Sequence, residues 1–378
     1  MDFSTIKGVT LPGNLEVKKM QHGNDVLWES GGGEEDYSTM PFFVQNLTNS
    51  SIDWSFTAPS YLSGNKTLYY STDGTNWETW GNVSSNTKLT LTIPAKERRY
   101  IKTDMTTFMA SNWPPAMSNP LYYYSSITST GNFEIGGQLI KLFPDNTALS
   151  VKCFRELFKG CTQLKYANKL YFPSNEPVEE CYRGMFTGSG LITPPLVLPS
   201  TKPTGSYAYA YMFSSCTSMT SAPALPATSL YQNCYYGMFK SCTSLTTAPS
   251  LPATTLAKSC YGYMFNGCTS LTTAPTLPAS TLQTYCYEYM FKGCTKLTTA
   301  PVLKALTLKN YCYRQMFYGC SILNYIKAMF TTLATSSLDN WVNGVAATGT
   351  FVKNSSATWT NSGVSGVPTG WTVQTAAS

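Results

Sequence analysis

The chain has 378 residues, of which 43% are hydrophobic and only 12% charged, where an ordinary globular domain carries about 25% charged residues. Its net charge of +6 is scattered and a single histidine, His22, stands beside twelve cysteines, which argues against nucleic-acid binding and leaves His-based acid–base or nucleophilic catalysis almost without material. No apolar run approaches the roughly 18 residues of a membrane-spanning helix.

Met1–Thr5 holds neither a basic nor an apolar run, so no signal peptide is expected. Two β-patterned runs follow, Leu15–Met20 and Val26–Glu29, joined by Gly23-Asn24, a hairpin signal. Gly31-Gly32-Gly33-Glu34-Glu35-Asp36 reads as a flexible linker, which makes residues 1–36 one segment. Over residues 37–142 the pattern turns to short strands, Phe42–Leu47, Ile52–Phe56, Thr67–Ser71, Lys88–Ile93 and Arg99–Thr103, with turns at Asp73-Gly74 and Gly81-Asn82. An all-β, sandwich-like module is expected there. The string Leu68–Trp77 also resembles the Asp-box turn of sialidases, one residue short and present once, and such a box is a structural hairpin.

The middle of the chain is repetitive. A Met-Phe pair recurs at Phe186, Phe213, Phe239, Phe265, Phe291 and Phe317, in steps of 27 and then 26, with a divergent copy at Leu157-Phe158. Seven units are expected between Cys153 and Leu323, within a solenoid spanning residues 143–332. In the unit Cys260–Pro278, Cys260, Tyr261, Met264, Phe265 and Cys268 fall on one stripe at 100° per residue, which predicts an α-helix of about two turns. Leu271–Ala274 predicts a short strand, ended by Pro275 and Pro278. The Phe column and the column Leu164, Ile192, Met219, Leu245, Leu271, Leu297, Leu323 would form the continuous core.

The cysteines form two columns eight residues apart, interrupted by Ala208 and Ser189. Small residues replacing cysteine singly suit buried free thiols that pack. Cys-x7-Cys without histidine is not zinc-ligand spacing, and no cofactor or metal is expected. After the repeats, the Trp- and Gly-rich residues 333–378 are expected to form a β-rich cap.

Candidate contacts for a partner are aromatics able to stack on sugar rings: Trp77, Trp80, the triplet Tyr122, Tyr123 and Tyr124, and Tyr236, Tyr263 and Tyr289 at the border of the expected helices. A second candidate is the uncharged threonine ladder through Thr246, Thr272 and Thr298. Carboxylate pairs for glycoside hydrolysis are confined to the linker and to Glu179-Glu180, expected to cap a helix N-terminus.

The units, Cys-Tyr-x-x-Met-Phe-x-Gly-Cys-Thr-Ser-Leu-Thr-Thr-Ala-Pro-x-Leu-Pro, closely resemble the BspA-like subgroup of leucine-rich repeats found in gut Bacteroides and in their phages. That resemblance implies an α/β leucine-rich-repeat solenoid following the β-sandwich-like module. The string Val17-Lys18-Lys19-Met20 with Val26-Leu27-Trp28 is similar to N-terminal segments of phage virion proteins. Together the resemblances imply a non-enzymatic virion protein, a fibre or decoration at the virion surface, assembled in the host cytoplasm. Val17, Lys18, Lys19, Val26, Leu27 and Trp28 would hold other virion proteins, and the repeats would bind host-surface or mucus glycan or protein. Fibres of this kind are often homo-oligomers, trimers among them, although the chain has no coiled-coil heptad run. The alternative implied is a bacterial cell-surface BspA-like adhesin.

Overall fold

The computed structural model describes residues 35–59, 62, 64–105, 125–143, 149, 151–173, 176–199 and 202–376, and the backbone of three strands before them. Those three are β1 (Lys7–Gly8), β2 (Val17–His22) and β3 (Asp25–Glu29), an antiparallel sheet in the order β1-β2-β3. The pairing of Met20 with Trp28 and of His22 with Asp25 is that of a hairpin.

Eight further strands each bury at least one side chain: β4 (Phe43–Asn46), β5 (Ile52–Thr57), β6 (Lys66–Ser71), β7 (Glu78–Val83), β8 (Lys88–Ile93), β9 (Arg98–Thr103), β10 (Ser126–Ser129) and β11 (Phe133–Gln138). They form a small sheet, β10-β5-β8, and most of a larger one, β11-β4-β9-β6-β7. Trp54, Phe56 and Ile127 from the small sheet meet Leu68 and Ile101 from the large one in a shared core. Gly81 does not make a turn. It lies inside β7, where a Cβ would approach the Leu89 side chain to 2.9 Å, so the residue serves close packing. Glu35 and Asp36 do not behave as linker either. Glu35 accepts a 2.9 Å bond from Arg98, and Asp36 Oδ1 accepts one from the Ser38 N–H.

The large sheet runs on into the repeats, because β12 (Leu164–Tyr171), from the first unit, pairs in parallel with β11. Glu134 and Lys169 close that junction at 2.7 Å, and Phe42 reaches the ring of Phe158. One buried cluster therefore passes from the β-module into the solenoid.

The expected α-helix is absent; among the described residues no α-helix occurs. Each unit instead carries a rod of consecutive tight turns. In residues 259–268 the N–H groups of Gly262, Met264, Asn266 and Cys268 each donate to the carbonyl three residues back, at 3.0–3.3 Å. Those of Ser259, Tyr261, Tyr263, Phe265 and Gly267 donate instead to carbonyls of the next unit, 25 residues on, at 2.7–3.1 Å. Ser259, Tyr263 and Gly267 have left-handed backbones, with φ of 54°, 58° and 75°. A left-handed residue at every fourth position resets the chain, so the period is 4 rather than 3.6. The buried pairs Cys260-Tyr261 and Met264-Phe265, followed by Cys268, repeat at that spacing of four.

Stacked rods place identical residues one above another. Rings of the Phe column lie 5.5–5.8 Å apart and within 10° of parallel. Beside it runs a second, fully buried ladder, Tyr182, Tyr209, Tyr235, Tyr261, Tyr287 and Tyr313, at 5.6–6.0 Å. All twelve cysteines are buried in the same core. The thiols of the second cysteine column also make directional bonds. Cys216, Cys242, Cys268, Cys294 and Cys320 each donate to a Phe carbonyl of the preceding unit, at 3.0–3.2 Å. Ile192 does not join the leucine column. Leu191 is fully buried there and Ile192 is exposed, because this unit is one residue shorter between its Phe and its core leucine than the next unit is.

On the opposite side the units touch through single parallel bridges, such as Thr247 with Thr273 and Thr299 with Tyr325. The prolines two residues further on, Pro249, Pro275 and Pro301, have no N–H to extend them. An eighth rod follows the seven expected, with left-handed residues at Ser336, Asn340 and Gly344 and Trp341 in the Met column. A parallel sheet of β13 (Tyr325–Ala328), β14 (Thr350–Asn354) and β15 (Thr372–Ala376) closes the end. Trp341, Trp359 and Trp371 pin it, their indole N–H groups donating to the carbonyls of Gly366, Phe330 and Ala346 at 2.7–3.0 Å.

Candidate binding face

The rods bury two residues of every four and turn the others outward, so outward residues also stack in columns. In the first two units these are charged. Glu180 meets Arg155, Arg183 at 2.8 Å and Lys152 at 3.9 Å, a network across neighbouring rods. Glu180 therefore caps no helix; it neutralises cations of its own and the preceding unit.

From the third unit onward tyrosine takes over. Tyr211, Tyr236, Tyr263 and Tyr289 form a chain of contacts with ring centroids 5.5, 5.2 and 4.4 Å apart, and Tyr285 stacks on Tyr311 at 4.8 Å. Glycines make room for the rings. A Cβ on Gly237 would approach Tyr211 to 2.6 Å, and one on Gly262 would approach Tyr236 to 2.9 Å. Cations sit over the rings: Arg183 over Tyr207 at 5.1 Å, Lys292 over Tyr318 at 4.6 Å, and Arg314 over Tyr311 at 5.1 Å. Burial pushes the Tyr263 hydroxyl up to about 12, with Tyr289 and Glu288 adding to the rise. Glu288 is raised by burial against the opposing pull of Arg314, with which it is ion-paired. At neutral pH the Tyr263 hydroxyl stays protonated as a donor.

Between Tyr207 and Tyr285 the face opens into a groove of about 430 Å³. Tyr211 and Tyr236 line it, with Arg183, Lys258 and the polar residues Gln232, Asn233 and Ser259.

The other candidates are dispersed. Thr246, Thr272 and Thr298 are exposed on the proline-bounded side, where the hydroxyls of Thr246 and Thr272 donate to carbonyls of the preceding unit. Trp80 is half-buried against Trp54 and donates to the Thr90 carbonyl, a packing role. Trp77 lies under Lys102 at 4.2 Å, on the β6–β7 hairpin where Asp73 accepts the Thr75 and Asn76 N–H groups. Those bonds hold the Asp73 carboxyl well below the usual range. The face thus contains Tyr236, Tyr263 and Tyr289, but neither tryptophan and none of the threonines. Tyr122, Tyr123 and Tyr124 lie outside the described residues, as do the side chains of Val17, Lys18, Lys19, Val26, Leu27 and Trp28 on β2 and β3. Tyr207, Tyr211, Tyr285 and Arg183 escaped the sequence. Their signal was the pair of outward positions in a four-residue period.

Among the described residues no helix is long and apolar enough to cross a membrane, and no group of His, Cys, Asp or Glu is placed to hold a metal ion. The architecture defines a repeat solenoid with a rigid, laterally ordered outer face. The family model of the BspA type leucine rich repeat region, in six copies, matches residues 150–255 and 209–341. Those matches together span just over half of the chain, which belongs to this family. No curated protein and no solved structure matches it.

Proposed function

We propose that the chain is a non-enzymatic adhesion protein that presents its solenoid to a host cell-surface or mucus glycan or protein, as a fibre or decoration at the surface of a phage virion. Residues 1–36 would hold it to other virion proteins, through the strands that carry Val17, Lys18, Lys19, Val26, Leu27 and Trp28. The observation that carries the adhesive part is the tyrosine-and-cation face. Tyr and Arg give large contact area at low entropy cost and dominate binding surfaces, and here rods bonded to one another hold them rigid. The family match supports a surface adhesion protein and equally favours a second reading, display on a bacterial cell.

Binding of the purified chain to host cells tests adhesion, and no retention on any host cell or mucus preparation would overturn it. Mass spectrometry of purified phage particles separates the two displays. The virion reading expects the chain in the particles, and its absence from them with presence in cell envelopes favours the bacterial one.

A further inference from the structure

Tyr207, Asn233, Ser259, Tyr285 and Tyr311 occupy the same position on the outer side of five successive units, all left-handed with φ of 54–59°; Asn233 and Ser259 are only 6% and 8% exposed and line the groove. Where Tyr285 and Tyr311 are adjacent, the rings stack at 4.8 Å and leave no gap. Between Tyr207 and Tyr285 two rings are missing, and Asn233 and Ser259 stand in their place. The slot so formed is about 14 Å between backbones, three unit steps at the spacing of paired strands, and coincides with the 430 Å³ groove.

We infer that this slot binds an acidic glycan segment, a pyranose unit bearing carboxylate or sulfate. The inference rests on the adhesion reading and names its ligand. Tyr207 and Tyr285 wall the two ends, with Tyr236 along the side. The negative faces of aromatic rings favour the weakly positive C–H edges of a sugar ring. The amide of Asn233 and the hydroxyl of Ser259 offer the bonds that sugar hydroxyls need. Lys258 supplies the cation: it is exposed at the rim, whereas Glu288, the acidic residue of the lining, is already matched by Arg314. The lining has no apolar pocket for a peptide side chain, and walls this far apart do not suit stacked bases.

The column itself supplies the decisive variant. Tyrosine already occupies this backbone conformation at positions 285 and 311, so Ser259→Tyr refills the slot without new strain. Calorimetric titration of the full chain uses four probes: a hyaluronan tetrasaccharide, a chondroitin sulfate tetrasaccharide, neutral chitotetraose and a hexaglutamate peptide. At least one acidic sugar is expected to bind about tenfold or more tighter than chitotetraose. Ser259→Tyr should lose at least about tenfold in that affinity at an unchanged melting temperature, and Lys258→Glu should also weaken it. Equal affinity for chitotetraose, no binding of either acidic sugar, binding of hexaglutamate alone, or full affinity in Ser259→Tyr would each overturn the inference. Host-cell binding separates the two proposals. If wild type and Ser259→Tyr adhere equally, the slot is wrong and adhesion stands; if acidic sugars bind while cells are not retained, the slot stands and adhesion falls.

Discussion

Across the eight rods there are twenty-four left-handed positions, of which only eight are glycine. An L-residue held there costs roughly 1–2 kcal/mol, so the rods are stable against local preference, through the stacking and the bonds between units. One column shows where that cost can be removed. Gly160, Gly188, Gly267, Gly293, Gly319 and Gly344 fill it, but Ser215 and Ser241 interrupt it. Ser241→Gly should stabilise the chain by about 0.5–1 kcal/mol, after the greater unfolded-state freedom of glycine is allowed for, and Gly267→Ser should destabilise it by a similar amount; urea titration reads both. The thiols give a second prediction at this scale. Burial pushes Cys260, Cys268, Cys312 and Cys320 up to about 12 from an ordinary value of 9.0. The folded chain thus holds these protons more tightly than the unfolded one. Their stabilising contribution is complete below pH 9 and is lost as pH rises from there toward 12, on the order of 1 kcal/mol per thiol for each pH unit above 9. Reduced protein should be native at pH 8 by circular dichroism and unfold well before pH 11; a native spectrum at pH 11 would contradict that.

At the scale of the element, the rod differs from a helix in where its bonds go. A helix satisfies its interior N–H groups itself, whereas alternate N–H groups of each rod lie on the next unit. Damage in one unit should therefore spread. Phe291→Ala, which removes a fully buried ring stacked on Phe265 and Phe317, should cost about 3–5 kcal/mol. It should also lower hydrogen-exchange protection of Tyr263 and Phe265 in the unit before; loss confined to 285–293 would show the rods to be independent. The sequence makes the unit legible but not the rod. Over the nine residues from Cys260 to Cys268, a 3.6 period and a 4 period place the same five residues on one face. What separates them is the left-handed Tyr263, a backbone state that tyrosine does not advertise. The β-module was half legible for a similar reason. β5 and β8 alternate apolar and polar residues, while Gly81 inside β7 imitates a turn. The eighth rod was hidden because Ser337, Leu338, Trp341 and Val342 replace Cys, Tyr, Met and Phe in every core column at once.

For the whole molecule, a stack of units that bond to their neighbours has two ends where the bonding must stop. At the first, β12 pairs with β11 and the sandwich core runs into the solenoid core, so the β-module covers the first unit. At the other, the N–H groups of Tyr311, Tyr313, Gln315, Phe317 and Gly319 donate to Thr335, Ser337, Asp339, Trp341 and Asn343, while Trp341 lies against the rings of Phe317 and Phe330. Removing everything after residue 332 would strip those five acceptors and open the fully buried Phe317 to water. Each donor left without a partner costs about 1–3 kcal/mol where it stays buried, and an uncovered ring adds about 2 kcal/mol. Even a part of these losses is large against the entire stability of a typical domain, about 5–15 kcal/mol. The truncated chain is therefore expected to melt at a markedly lower temperature and to associate through its exposed end. Calorimetry with light scattering checks this, and an unchanged melting temperature in a monomeric truncated chain would show that the eighth rod and its sheet are dispensable to the stack.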